Sequence, residues 1–206
     1  MNSIYLRLLE ILPETEGSVA NTARGGAPAR ALVGQTEAAL EVVPVPLLAI
    51  IQTVDNDIEC DGSNVEAVGQ SLADALAVIS AASPNTKILV VGQAGRPSVA
   101  FLEELVAYDP SMKANLTWDD ECSFFDREGN LREDGVAMLS AVIDRYEAET
   151  ARVCAAVPNC ATDGGVRKAY IDKIENFSAD YAHFNVQGQA AMAELMWPVV
   201  EDLLGQ

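Results

Sequence analysis

The chain has 206 residues, half of them apolar, enough to bury the core of a single domain over 1–206. Its 31 acidic residues against 13 basic ones give a formal charge of −18, a field that repels nucleic-acid phosphates and anionic lipid surfaces. The longest apolar run, from Val42 to Ile51, is too short to span a bilayer and holds Pro44 and Pro46, so no stable membrane insertion is expected.

In chain order, residues 3–12 read as a short amphipathic helix ended by Pro13. Arg7, Glu10 and Glu14 interrupt the stretch, so it does not read as a signal peptide. Residues 18–23 are expected to form a short strand, 24–28 a Gly/Pro turn, and a helix follows to about Glu41. Pro46 to Thr53 is almost wholly apolar, as a strand covered on both faces should be. The acidic loop VDNDIECDG covers 54–62. Residues 64–82 place Val65, Val68, Leu72, Ala75, Leu76 and Ile79 on one helical face. A turn at 83–86 leads to a second buried strand at 87–91, a loop at 93–97 and a helix at 98–107. Residues 108–134 read as a polar, irregular excursion carrying Trp118, Phe124 and Phe125. A long helix is expected over 134–156, mixed structure over 161–182, and a last helix over 186–204. Strands alternate with helices, so the fold class is α/β with a parallel sheet. Ligands of such sheets bind in the loops after the strands, here 24–28, 54–62 and 92–97.

Four cysteines, Cys60, Cys122, Cys154 and Cys160, contain no C-x-x-C spacing, and one histidine makes a Cys/His zinc site a poor fit. Two disulfides in three connectivities are possible. Cys154 and Cys160 flank a Pro158–Asn159 turn and make the favoured pair, which leaves Cys60 with Cys122 by elimination. The alternative is four reduced thiols in a reducing compartment.

Three stretches could carry chemistry. In ADYAHFNVQGQ (179–189), Asp180 stands three residues before the lone His183. A carboxylate so placed can hold one imidazole nitrogen and leave the other as a base. In VDNDIECDG, the acid spacing fails the calcium-loop pattern. Counting from Asp57 puts Val68 where the twelfth-position glutamate belongs, and counting from Asp55 puts Cys60 where glycine belongs. The Asn56 amide, after a buried strand, can instead donate to a developing oxyanion. In NTARGGAP (21–28), adjacent glycines allow close approach of a backbone N–H to a ligand.

Taken in this order, the three stretches resemble the blocks of the SGNH hydrolases, the GDSL-type esterases and lipases. The likeness extends over nearly the whole chain and is nearest to secreted actinobacterial-type members, in which an N-D-I-x-C-D-G stretch and further cysteines occur. It favours the disulfide reading and an extracellular location. It implies a three-layer α/β/α flavodoxin-like fold and Ser-His-Asp chemistry on a small-molecule ester, an acyl lipid or an acylated sugar, without a cofactor or metal. His183 would be the base and Asp180 its orienting carboxylate, with Gly26 and Asn56 in the oxyanion hole. Two departures stand out. Val54 replaces the glycine of the family's G-x-N-D block. The G-D-S block, which carries the nucleophile on the first, internal strand, is missing, as though the chain were truncated at its N-terminus. Ser3 is the one serine near that place, but it lacks a preceding strand and stands too near Gly26. A non-catalytic SGNH-like domain that binds a ligand or a protein is the alternative, and an acidic calcium-binding module the third.

Overall fold

The computed structural model describes residues 2–205. Three parallel strands make the sheet: β1 (Leu48–Gln52), β2 (Lys87–Val91) and β3 (Cys160–Thr162), side by side in that order. Leu48 pairs with Lys87 and Gln52 with Val91. Ile88 pairs with Cys160 and Val90 with Thr162.

Because strand side chains alternate, the two faces of the sheet sort cleanly. Ala49, Ile51, Ile88 and Val90 face one layer, built from α2 (Leu32–Val42), α3 (Val65–Ala82) and α6 (Glu133–Ala155). Leu48, Leu89 and Val91 face the other, built from α1 (Ile4–Ile11) and α7 (Val186–Leu204). The arrangement is therefore α/β in three layers. By length and composition α3 could cross a membrane, but it is the core helix of this fold, with Leu72, Ala75 and Leu76 fully buried between α2 and α6.

Local chemistry explains the helix starts. The Ser3 hydroxyl caps α1 by accepting from the Leu6 N–H at 3.2 Å. Ser98 does the same for α4 (Val99–Tyr108) through Phe101. Asn185 caps α7 by accepting from the Gln187 and Gly188 N–H groups, while its own amide donates to the carbonyls of Glu175 and Phe177. Gly188 is a close-approach glycine, since a Cβ there would lie 2.2 Å from the Asn176 carbonyl oxygen. The one-turn helix α5 (Met112–Asn115) completes the set.

Three expectations change. Residues 18–23 form neither strand nor helix, and the backbone groups of 19–22 have no hydrogen-bond partner among the described residues. A strand needs a neighbour to pair with, and this segment lines a cavity instead. For the same reason β1 is not covered on both faces: Ile51 is buried, but Ile50 is 45% exposed. The segment 108–134 is less solvated than its polarity implies. Phe124 and Phe125 are buried with Leu102 and Val136 in a small core of their own, and Trp118 packs edge-on against Phe124 at 5.2 Å.

Both favoured cysteine pairs are disulfides. Cys60–Cys122 spans 5.8 Å between Cα atoms and Cys154–Cys160 spans 5.4 Å. The first ties the loop after β1 to the aromatic excursion. The second ties the end of α6 to β3 across the turn at Asn159, which takes a left-handed φ of 62°.

Candidate functional site

The loop that follows the short 3-10 turn Ile174–Asn176 folds back on itself to present His183. Phe177 and Phe184 form an isolated antiparallel bridge, and the Ser178 N–H donates to the His183 carbonyl at 2.7 Å. Inside this closed turn the Asp180 carboxylate is used twice. Its Oδ1 accepts from the Ala182 and His183 backbone N–H groups, each at 3.0 Å, and its Oδ2 meets His183 Nδ1 at 2.7 Å. These bonds, led by the His183 backbone N–H, hold the Asp180 carboxyl down to about 2. A carboxylate at Nδ1 places the proton there and leaves Nε2 as the free basic nitrogen. Both side chains are solvent-accessible, so the pair is oriented but not desolvated.

The loops that carry the two candidate oxyanion donors also meet. Gly26 has a left-handed φ of 72° within the 24–27 turn, a conformation that glycine adopts at no steric cost. The Asn56 Nδ2 donates to the Ala27 carbonyl at 3.3 Å, which ties the loop after β1 to that turn. The Asp57 carboxylate reinforces the tie by accepting from the Ala29 N–H at 2.7 Å. Below, the fully buried Tyr146 accepts from the Glu59 N–H and donates to the Asp57 carbonyl, so α6 fixes the loop from underneath. Val54 opens this loop at φ 103°, a region that disfavours β-branched residues, and its buried side chain holds it there.

A cavity of about 900 Å³ joins these parts. His183, Ala23 and Asp55 all line it, and the last two are sequence neighbours of the Gly26 turn and of Asn56. Gly26 and Asn56 themselves stand beside the cavity rather than in its wall. Ser3 lines it too, with its oxygen engaged as the α1 cap, and no serine hydroxyl reaches the His183 ring among the described residues.

Four polar side chains at the carboxyl ends of the strands were not legible in advance: Gln52, Gln93, Arg167 and Asp172 all line the cavity. Arg167, 7% exposed, donates from Nη1 to Gln52 Oε1 at 2.8 Å. Its Nε is buried without a partner, and the buried Gln93 Nε2 lies outside good hydrogen-bonding geometry yet close enough to the Asp55 carboxylate to favour its charged form. Burial pushes the Arg167 guanidinium down from its ordinary value, against the opposing pull of Asp163, Asp55 and Glu147. Asp55 opens onto the cavity, so its surface counts as accessible, yet protein surrounds it. That burial raises its carboxyl, opposed by Gln93, Arg167, Gln52 and the His183 charge. Asp172 is raised to about 6 by burial alone. The only signal for Arg167 was its place after the third strand, which at three residues is too short to read from periodicity.

The one grouping of metal-ligand side chains among the described residues is Cys60, Asp120 and Cys122. Its two sulfurs are joined in a disulfide and offer no thiolate. No family model matches the chain, and no curated protein matches it.

Proposed function

We propose that this chain is the body of an SGNH-type serine esterase, carrying every part of the reaction centre except a positioned nucleophile. The observation that carries the reading is His183, held by Asp180 at 2.7 Å and lining the same cavity as Ala23 and Asp55 from the loops of Gly26 and Asn56. In the proposed reaction a seryl Oγ beside His183 attacks the ester carbonyl carbon while Nε2 takes its proton. Asp180 stabilises the imidazolium that results. The oxyanion is held by the Gly26 N–H and by the Asn56 amide, which turns away from Ala27 to do so. His183 then gives the proton to the departing alcohol, leaving an acyl-enzyme, and water releases the acid by the same steps. The apolar walls of the cavity suit an acyl chain, and Phe124, which also lines it, makes 108–134 the segment that selects the substrate. The two disulfides are compatible with an extracellular setting, where such an enzyme would meet acyl lipids or acylated sugars.

Hydrolysis of p-nitrophenyl acetate and butyrate tests the reading. If one of the chain's own serines serves, the wild type turns over and His183→Ala lowers the rate by about 10²–10⁴. Equal rates in the two proteins would refute a basic role for His183. Absence of turnover, both in the wild type and in a version fused at its N-terminus to a Gly-Asp-Ser-bearing segment, would favour the non-catalytic binding domain.

A further inference from the structure

Five tyrosines occur in the chain, and three of them spend their hydroxyls on the fold. Tyr5 meets the Gly17 N–H, Tyr146 the Asp57 carbonyl and Tyr170 the Asn176 amide. Tyr108 and Tyr181 instead meet each other, with ring centroids 6.1 Å apart and planes at 77°. Tyr181 lines the cavity two residues before His183, and Tyr108, at the end of α4, is 68% exposed. The pair therefore stands at the edge of the cavity and makes a corner rather than a stack. Two features hold it there. Phe101 of α4 packs on Phe177, at the base of the His183 turn, with centroids 5.6 Å apart. Tyr181 itself is kept at a left-handed φ of 53°, uncommon for an aromatic residue, and its N–H donates to the Ser178 carbonyl at 3.0 Å. Backbone strain of this kind gathers at ligand clamps, where the surrounding structure imposes it.

The charge around the corner has one sign. Residues 97–112 and 174–206 contain neither lysine nor arginine, yet Glu103, Glu104, Asp109, Glu175 and Asp180 fall within them. Glu104 is exposed and stands one helical turn before Tyr108. The Tyr181 phenol is raised from its ordinary value by loss of solvent first, then by Tyr108 and by the charge of Asp109, which lies near it. Lys113, the next base along the chain, turns away to the Gly129 carbonyl and the Phe125 ring. An aromatic face is negative, and a cation within about 6 Å of the ring centre is attracted to it. A primary ammonium is strongly hydrated and demands hydrogen bonds, whereas a methylated one gives up less water to reach such a face.

We infer that the Tyr108–Tyr181 corner binds a quaternary ammonium group, with Asp109 and Glu104 as its counter-charges. On the proposed esterase reading, on which this choice of substrate rests, the ammonium belongs to the alcohol half of the ester. The acyl chain then lies along Leu32, Leu40, Ile79 and Val200, and a choline-like alcohol departs past the corner. The charge of −18 draws such a cation in and repels an anionic ester. Binding of the ammonium itself needs no chemistry at His183.

Choline and its neutral isostere 3,3-dimethyl-1-butanol test the corner with no ester bond to break. Amide chemical shifts of Tyr181 and Ala182 read binding at the turn. Choline is expected to bind at least about fivefold more tightly than the isostere. Tyr108→Leu, and Tyr181→Asn, which tolerates the left-handed region, should each lower that ratio at least about threefold. Asp109→Asn keeps the acceptor for the Ser111 N–H and is expected to weaken the binding of choline alone. If Tyr181→Asn disturbs the turn, seen as a shifted Ser178 amide, the other two variants decide. Equal affinity for the two probes would overturn the inference. So would a ratio that Tyr108→Leu leaves unchanged, since the general field and not the rings would then select the cation. Turnover of p-nitrophenyl butyrate without a preference for choline would remove the corner and leave the esterase. A preference for choline, with no turnover of butyrylcholine in the wild type or in the version fused to a Gly-Asp-Ser-bearing segment, would leave the corner and remove the esterase.

Discussion

Asp172 shows how one side chain can set a pH dependence that the motifs do not reveal. Its carboxyl is raised to about 6, so the folded chain holds a proton there that the unfolded chain releases near 4. Folding stability from this group is therefore greatest below about pH 4 and falls as pH rises through 6. Asp172→Asn is expected to match the wild type near pH 3.5 and to exceed it by about 1–2 kcal/mol at pH 7.5, a value discounted because the site is partly open to solvent. Urea unfolding of both proteins at the two pH values measures this, and a variant less stable than the wild type at pH 7.5 would disprove it. Asp180 behaves in the opposite way: its carboxyl is held low, so its contribution is complete above pH 4 and is lost only as pH falls toward 2. Sequence spacing alone could propose the Asp180–His183 pair because a turn brings residues three apart together. It could not propose Asp172 or Arg167, whose character comes from what buries them, and burial is set by segments distant in sequence.

At the scale of elements, the long apolar helices and strands declare themselves by period, and α3, α6, α7, β1 and β2 all lie within a few residues of their expected bounds. The failures have two causes. Residues 18–23 read as a strand, but a strand exists only in a ladder, and no described segment offers its backbone a partner. The aromatic excursion was misjudged for the opposite reason: its acids dominate the composition while Phe124 and Phe125 turn inward against α4 and α6. The two disulfides contribute unequally to these elements. The loop they close is 62 residues for Cys60–Cys122 and 6 for Cys154–Cys160. Chain entropy then assigns about 4 kcal/mol to the first and about 2 kcal/mol to the second. The paired serine replacements Cys60→Ser with Cys122→Ser, and Cys154→Ser with Cys160→Ser, should lose stability in that order on urea titration. The reverse order would show that native-state packing, not loop length, governs them.

For the whole molecule, the charge of −18 is a cost to compactness that the three layers must overcome. Screening relieves it. Raising the salt from about 10 mM to about 150 mM shortens the Debye length from about 30 Å to about 8 Å, and the midpoint of thermal unfolding should rise by several degrees. A midpoint that does not move would mean that attractive pairs, such as Arg96 with Asp144 and Lys168 with the same carboxylate, balance the repulsion. The α/β class follows from the alternation of elements. The cavity does not follow from it, because it arises where two lengths of chain fail to meet.

The turn that carries His183 has a further property. The hydrogen bonds that orient the imidazole run within residues 178–183, and Asn185 seats that turn on α7. None of them involves the sheet. The imidazole and its carboxylate thus form a small self-contained unit, and their alignment does not depend on the spacing of β1 from residues 18–23.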